Sequence, residues 1–388
     1  MKNNTDRRSL GLYVHVPFCV QKCKYCDFCS FANLDDEIKF EYKKALVSDI
    51  KSSAEHFQNY TVDSIFFGGG TPTCLSAGSL CEILNSVFER YNVSNDAEIT
   101  LECNPATASK NDFSALVSCG FNRLSMGLQS VHNEELSELG RIHSFEDFKR
   151  TYADAREAGF DNINLDLMYG IPLQTEASFA KTLDTVLSFS PEHISAYALK
   201  IEPGTEFYRI RNELILPNED EEYNMYKLAD AVLTDAGYEH YEISNYALKG
   251  KKSKHNLKYW SCDEYAGLGI AAHSLIENTR YSTTSSIKKY ISRFNGTDIL
   301  PYFEIEENLS EVALAEEYIM MRLRLSDGLS EDDYNKKFQS RLDPKYIERM
   351  YPFIKSGHII SENGIYRLTA DGMYVSNYIL SEILDLDI

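Results

Sequence analysis

The chain has 388 residues, 43% of them apolar and 25% charged, with only 10 Pro and 20 Gly. That composition excludes collagen-like, low-complexity and largely disordered chains, and suits one large domain or two unequal ones. Thirty-nine Lys and Arg against 59 Asp and Glu give a net charge of −20, which opposes non-specific binding to nucleic acid or anionic lipid. No apolar run approaches the roughly 18 residues of a membrane helix. The N-terminal segment lacks a secretory apolar core with a cleavage site, so the sequence reads as a cytoplasmic protein without a membrane span.

In chain order, runs of β-formers fall at Leu12–Val16, Val62–Phe67, Ala97–Cys103, Arg123–Gln129, Asn162–Met168 and Ile194–Leu199, with amphipathic stretches between them. One of the clearest predicted helices starts at Ser144, with Asp147 placed for a capping box, and stops at Gly159. Strand–helix alternation of this kind predicts parallel strands with right-handed crossovers, hence an α/β sheet or barrel. Joints of helix, Gly and aromatic recur at Cys119-Gly120-Phe121, Ala158-Gly159-Phe160 and Ala236-Gly237-Tyr238, a faint internal repeat. After residue 200 the pattern loosens, and a basic loop from Lys249 to Lys254 precedes His255-Asn256-Leu257-Lys258-Tyr259-Trp260. A first domain over 1–300, with an extension that carries His255–Trp260 as a loop, and a second over 301–388 are expected. The second holds a helix from Glu311 to Leu325 and a hairpin turning at Glu362-Asn363-Gly364, a winged-helix-like pattern. Its 9 basic and 17 acidic residues argue against DNA binding.

Three strands carry one polar face. Glu98, Thr100 and Glu102 oppose Ile99, Leu101 and Cys103; Arg123, Ser125 and Gln129 oppose Leu124, Met126 and Leu128; Asn164 and Asp166 oppose Ile163, Leu165 and Leu167. Parallel sheets are normally apolar on both faces, and closed eight-stranded barrels fill their lumen with branched apolar side chains. Polar faces therefore predict an open, wet barrel that holds a polar ligand inside.

Nine cysteines are unevenly placed: Cys19, Cys23, Cys26 and Cys29 cluster, while Cys74, Cys81, Cys103, Cys119 and Cys262 are scattered in apolar company and read as small core residues. Clustered cysteines in a reducing compartment are ligands more readily than disulfides. Structural zinc usually takes two separated pairs, whereas three close thiolates suit a 4Fe–4S cluster with one iron left open. The spacing favours the cluster over zinc.

Leu12-Tyr13-Val14-His15-Val16-Pro17-Phe18-Cys19, followed by Lys22-Cys23-x-Tyr25-Cys26-Asp27-Phe28, resembles the radical S-adenosylmethionine (SAM) superfamily, in the branch of coproporphyrinogen dehydrogenase and the heme chaperones. Further matches run along the chain at Phe67–Thr73, Arg123–Ser130, Leu139–His143, Leu165–Pro172, Tyr241–Tyr246 and Glu264–Gly269, and the terminal unit resembles the branch's C-terminal domain. The resemblance implies a partial parallel β/α barrel, a cluster on Cys19, Cys23 and Cys26, and SAM bound by Tyr13, Tyr25, Gly69, Gly70, Thr71, Glu102, Gln129, Arg141 and Asp166. It offers two functions: oxidative decarboxylation of coproporphyrinogen III, or binding of heme and its delivery to acceptor hemoproteins. Phe28 stands where the dehydrogenase pattern has a fourth cysteine, only 18 residues precede Cys19, and His255-Asn256-x-x-Tyr259-Trp260 matches a signature associated with heme binding. Heme on His255, Tyr259 and Trp260, and the chaperone, are therefore expected; the resemblance also allows a homodimer. Cys29, three residues past Cys26, is expected to stay off the cluster.

Overall fold

The computed structural model describes residues 7–294, 296 and 303–386, so the domain boundary expected at 300/301 lies outside the described residues. Its frame is six parallel strands in sequence order: β1 (Arg8–Val16), β2 (Tyr60–Gly69), β3 (Val93–Cys103), β4 (Arg123–Gln129), β5 (Ile163–Tyr169) and β6 (His193–Ala198). Each expected strand is present, several extended by a few residues. The crossovers include α1 (Asp36–Ser53), α2 (Ala77–Arg90), α3 (Lys110–Cys119), α4 (Phe145–Ala158) and α5 (Glu176–Ser188). Helix α4 begins with the Ser144–Asp147 capping box and ends at Gly159, whose φ of +108° is the left-handed geometry that favours glycine.

The sheet does not close on itself. Beyond β6 and α6 (Glu219–Asp235) it continues antiparallel through β7 (Glu239–His240) and β8 (Asn245–Ala247). On the far side β9 (Tyr265–Leu268) runs parallel to β1 and leads to the antiparallel β10 (His273–Ile276), β11 (Thr279–Thr283) and β12 (Phe303–Asn308). The result is an open β/α barrel. Leu12, Val14, Ile65, Phe67, Leu101, Leu124, Leu165 and Ile194 face outward under the helices and are 0% exposed, while the alternating residues point into the lumen.

The stretch His255–Trp260 is helical rather than a loop: α7 spans Lys254–Trp260, with the Ser253 side chain accepting from the Asn256 amide. Ser253 also caps the local backbone, so the basic run ends in a helix N-terminus. After β12, a second hydrophobic core gathers Tyr318, Leu323, Tyr346, Met350 and Ile379 within helices Glu311–Leu323, Pro344–Lys355 and Ser376–Leu384. The hairpin is there too, with strands Ile359–Glu362 and Ile365–Leu368 joined by Asn363 and Gly364 at φ of +53° and +73°, the twist of a type I′ turn. Strand Phe303–Asn308 belongs to the barrel sheet, so the second unit begins after it. Cys81 and Cys119 correct the expectation of isolated core thiols: neighbouring α2 and α3 bring their Cα atoms within 5.8 Å, and a disulfide joins them. Among the described residues no helix is long and apolar enough to cross a membrane.

Candidate cofactor site at the barrel mouth

The cysteine segment leaves β1 at its C-terminal end, where open α/β folds place their ligands. A two-residue strand, Phe18–Cys19, pairs with Phe31–Ala32 and closes the intervening residues into a loop. The Phe31 amide donates to the Pro17 carbonyl at 2.7 Å, the Lys24 amide to Leu139 O at 3.1 Å, and the Phe207 amide to Lys24 O at 2.9 Å. His15 ties down the far end, one ring nitrogen 2.8 Å from the Cys29 carbonyl and the other 3.1 Å from the Tyr13 hydroxyl. The loop is thus held by three separate segments before any cofactor arrives.

Cys19, Cys23 and Cys26 are half-buried and line one cleft with Tyr25, Gly69, Gly70, Thr71, Glu102, Gln129, Arg141 and Asp166. The thiols stand around the rim: among the described residues, no three His, Cys, Asp or Glu side chains are close enough to share one metal ion. Cys29 does not line the cleft, and its Sγ lies 4.0 Å from Ser285 O instead. Tyr13 also departs from expectation. It lies below the cleft, its ring stacked on Phe66 at 6.3 Å and its hydroxyl turned to His15.

Two glycines are required here by space. A Cβ on Gly70 would stand 2.7 Å from the Phe18 carbonyl oxygen, and one on Gly69, at φ +110°, would enter the His15 ring. Backbone alone lets β2 pass under the cysteine loop. Gly127 is small for another reason, because Arg141, Asn104 and Gln129 all converge about 3.0 Å from where its Cβ would be.

Arg141 organises that corner. Its Nη2 donates to Asn104 Oδ1 and to the Gly127 carbonyl, both at 2.6 Å, and its Nη1 to Cys23 Sγ at 3.5 Å. Its buried Nε has no partner, so one donor remains for an anionic group entering the cleft. Burial, and then the neighbouring Asp166, push the Glu102 carboxyl up to about 8, although the Gly69 amide donates to it at 3.2 Å. Asp166 is also raised by burial, against hydrogen bonds from Asn164 and Ser195. A row of bonds continues downward: Asn164 Nδ2 to Asp166 at 2.7 Å, Asn164 Oδ1 to His193 at 2.6 Å, and His193 to the Tyr241 hydroxyl at 2.8 Å.

Sequence reading missed His15, Asn104 and Tyr197. Tyr197 donates to Gln129 Oε1 at 3.1 Å and Asn104 Nδ2 to Thr71 Oγ1 at 2.6 Å. Tyr197 shares the inward face of β6 with His193 and Ser195, an alternation present in His193–Ala198; Asn104 directly follows a lumen strand.

Of the three residues expected at heme, His255 and Tyr259 meet and Trp260 stands apart. His255 is 1% exposed inside the lumen, Nδ1 3.0 Å from Ser64 Oγ and Nε2 2.8 Å from the Tyr259 hydroxyl. Phe66 stacks on it at 5.4 Å, and burial holds its pKa down at about 3, so both ring nitrogens are committed on a neutral imidazole. Trp260 turns away and lines a separate groove.

Comparison with known proteins places this geometry. The Radical SAM superfamily model matches residues 13–186, and the HemN C-terminal domain model matches 309–375. Heme chaperone HemW of Haemophilus influenzae is 34% identical over 388 aligned residues, covering 97% of each chain. The Bacillus subtilis heme chaperone HemW is 34% identical over 96% of this chain and 98% of its own. Among solved structures, the Escherichia coli coproporphyrinogen III oxidase HemN, a radical SAM enzyme, superposes with a TM-score of 0.85 at 23% identity, covering 97% of this chain and 90% of its own, which shows a shared fold. Membership of that superfamily implies a 4Fe–4S cluster and SAM, and the half-buried thiols and the free Arg141 donor fit such groups. By end-to-end identity and by fold, the chain belongs to the HemW family of the radical SAM superfamily.

Proposed function

We propose that the chain is a heme chaperone: it binds heme, passes it to acceptor hemoproteins, and carries a 4Fe–4S cluster on Cys19, Cys23 and Cys26 with SAM beside it. The observation that carries this reading is the identity to curated heme chaperones over 97% of the chain. In this reading Tyr25, Gly69, Gly70, Thr71, Glu102, Gln129, Arg141 and Asp166 form the walls of the SAM cleft, and Tyr13 supports it from below through His15. The Arg141 Nε donor receives the carboxylate of SAM. The cluster would supply one-electron chemistry; what this chain contributes is a rigid loop, a guanidinium beside Cys23 and a polar lumen.

The dehydrogenase reading rests on the fold shared with the Escherichia coli coproporphyrinogen III oxidase. Against it stands Phe28, 62% exposed at the position of that pattern's fourth cysteine. The test is anaerobic reconstitution followed by separate titrations with heme and coproporphyrinogen III in the presence of SAM and a reductant. Heme binding without release of carbon dioxide is the expected result. Stoichiometric carbon dioxide without heme binding would make the chain a dehydrogenase.

A further inference from the structure

Cys74 is scattered in sequence, yet the fold sets it beside Cys19. Residues Pro72–Cys74 form a single helical turn directly after Gly69, Gly70 and Thr71, and that turn lies against the short strand Phe18–Cys19. The Thr71 amide donates to the Phe18 carbonyl at 2.7 Å, and the Cys74 amide donates back to Thr71 O at 2.8 Å. The backbones of Cys19 and Cys74 are thus tied together through one residue.

The same residue connects their sulfurs. Thr71 Oγ1 lies 3.8 Å from Cys19 Sγ and is hydrogen-bonded to the Cys74 thiol as well. The Cys74 sulfur also accepts from the amide of Val20, the residue after Cys19. The other thiols of the loop are engaged elsewhere, Cys23 with Arg141 at 3.5 Å and Cys29 with Ser285 O at 4.0 Å.

The two thiols open to different sides. Cys19 lines the cofactor cleft, whereas Cys74 lines a separate cavity of about 210 Å³ with Thr73, Ser76, Thr107 and Asp112. Both are half-buried, so a small oxidant reaches the pair without unfolding. A thiol oxidised past the sulfenic stage is lost unless a neighbouring thiol captures the sulfenic acid first.

Resting on the reading of Cys19 as a cluster ligand, we propose that Cys74 is its resolving thiol. When the loop holds no cluster and meets a peroxide, a Cys19–Cys74 disulfide forms, which closes the loop to iron and preserves its sulfur. The Cys19 sulfur attacks one peroxide oxygen, the O–O bond breaks, water leaves, and Cys19 carries S–OH. The Cys74 sulfur then displaces that hydroxyl, which takes up the thiol proton and leaves as a second water. The two thiols together lose two electrons, and the peroxide gains them. A dithiol reductant reverses the bond by exchange.

The test takes the full chain, cluster-free and anaerobically reduced, adds stoichiometric hydrogen peroxide, and maps thiols by alkylation and peptide mass. Wild type should yield a Cys19–Cys74 cross-linked peptide, distinct in mass from any Cys81–Cys119 peptide. After dithiothreitol it should regain its broad visible absorbance on reconstitution. Cys74→Ser should match wild type before peroxide, then regain about tenfold less absorbance and carry sulfinic or sulfonic acid on Cys19. Cys19 joined instead to Cys23, Cys26 or Cys29, or equal recovery by Cys74→Ser, overturns the proposal. Should Cys74→Ser fail to fold, the wild-type peptide map decides alone. Full cluster uptake by a Cys19→Ala chain sinks instead the reading of Cys19 as a ligand, whatever the map shows.

Discussion

Arg141 reaches both the thiol of Cys23, at 3.5 Å, and the cleft, where its Nε is without a partner. One guanidinium thus spans the edge of the cysteine loop and the cleft beside it. Arg141→Ala should weaken SAM binding by about one to two decades, the worth of a charge-assisted hydrogen bond at roughly 1.5–3 kcal/mol. Asp166→Asn should weaken SAM binding too. Only Arg141→Ala should also retard cluster assembly, because Asp166 does not touch the loop. Isothermal titration with SAM beside iron analysis checks both; unchanged SAM affinity in the two variants would show that the cleft is not its site.

Cys19→Ala, Cys23→Ala and Cys26→Ala should each abolish the broad visible absorbance of the reconstituted protein, whereas Cys29→Ala should retain it. Cys29 faces Ser285 and lies off the cleft. Loss of the chromophore in Cys29→Ala would mean four thiolate ligands and no open iron.

Glu102 has a raised pKa of about 8, set first by burial. Its protonated form is favoured in the fold, so its contribution to stability is complete below its unfolded pKa, near 4.3, and falls as pH rises through about 8. Glu102→Gln, which stays neutral, should therefore gain on wild type as pH rises from 5 to 8.5 in urea melts. A constant difference across that range would exclude an abnormal Glu102.

His255→Ala removes a ring stacked on Phe66 and bonded to Ser64 and Tyr259. Lost packing and two stranded hydroxyls should cost about 2–4 kcal/mol in denaturant unfolding, while heme affinity stays near wild type. A large loss of heme binding in a stable His255→Ala protein would return the imidazole to the heme.

The barrel was legible because its lumen is wet. Glu98, Thr100 and Glu102 alternate with Ile99, Leu101 and Cys103, and that period of two announces both a strand and a polar interior. The capping box at Ser144 and the Asn363-Gly364 turn were legible because each is local chemistry. The segment of the heme signature was expected as a loop, and the structure makes it a helix. On a helix His255 and Tyr259 share a face, but Trp260 stands about 140° of rotation away, so the motif divides between two compartments. The Cys81–Cys119 pair and the seat of Tyr13 beneath the cleft were hidden for a different reason: both depend on which elements become neighbours, which no single segment encodes.

Helix α7 has its two ends in different rooms. At the start, the His255 amide and the Ser253 hydroxyl donate to Glu98 on the lumen wall at 3.2 and 3.4 Å; at the end, Trp260 faces the groove. Six residues of helix, about 8 Å of rise, are a stiff rod at that scale. A ligand that tilts the indole must drag on Glu98 of the lumen wall, and one that moves Glu98 must move the indole. Thermodynamic reciprocity then sets the rule for any two ligands held at the two ends of this rod: whatever factor the first imposes on the affinity of the second, the second imposes on the first.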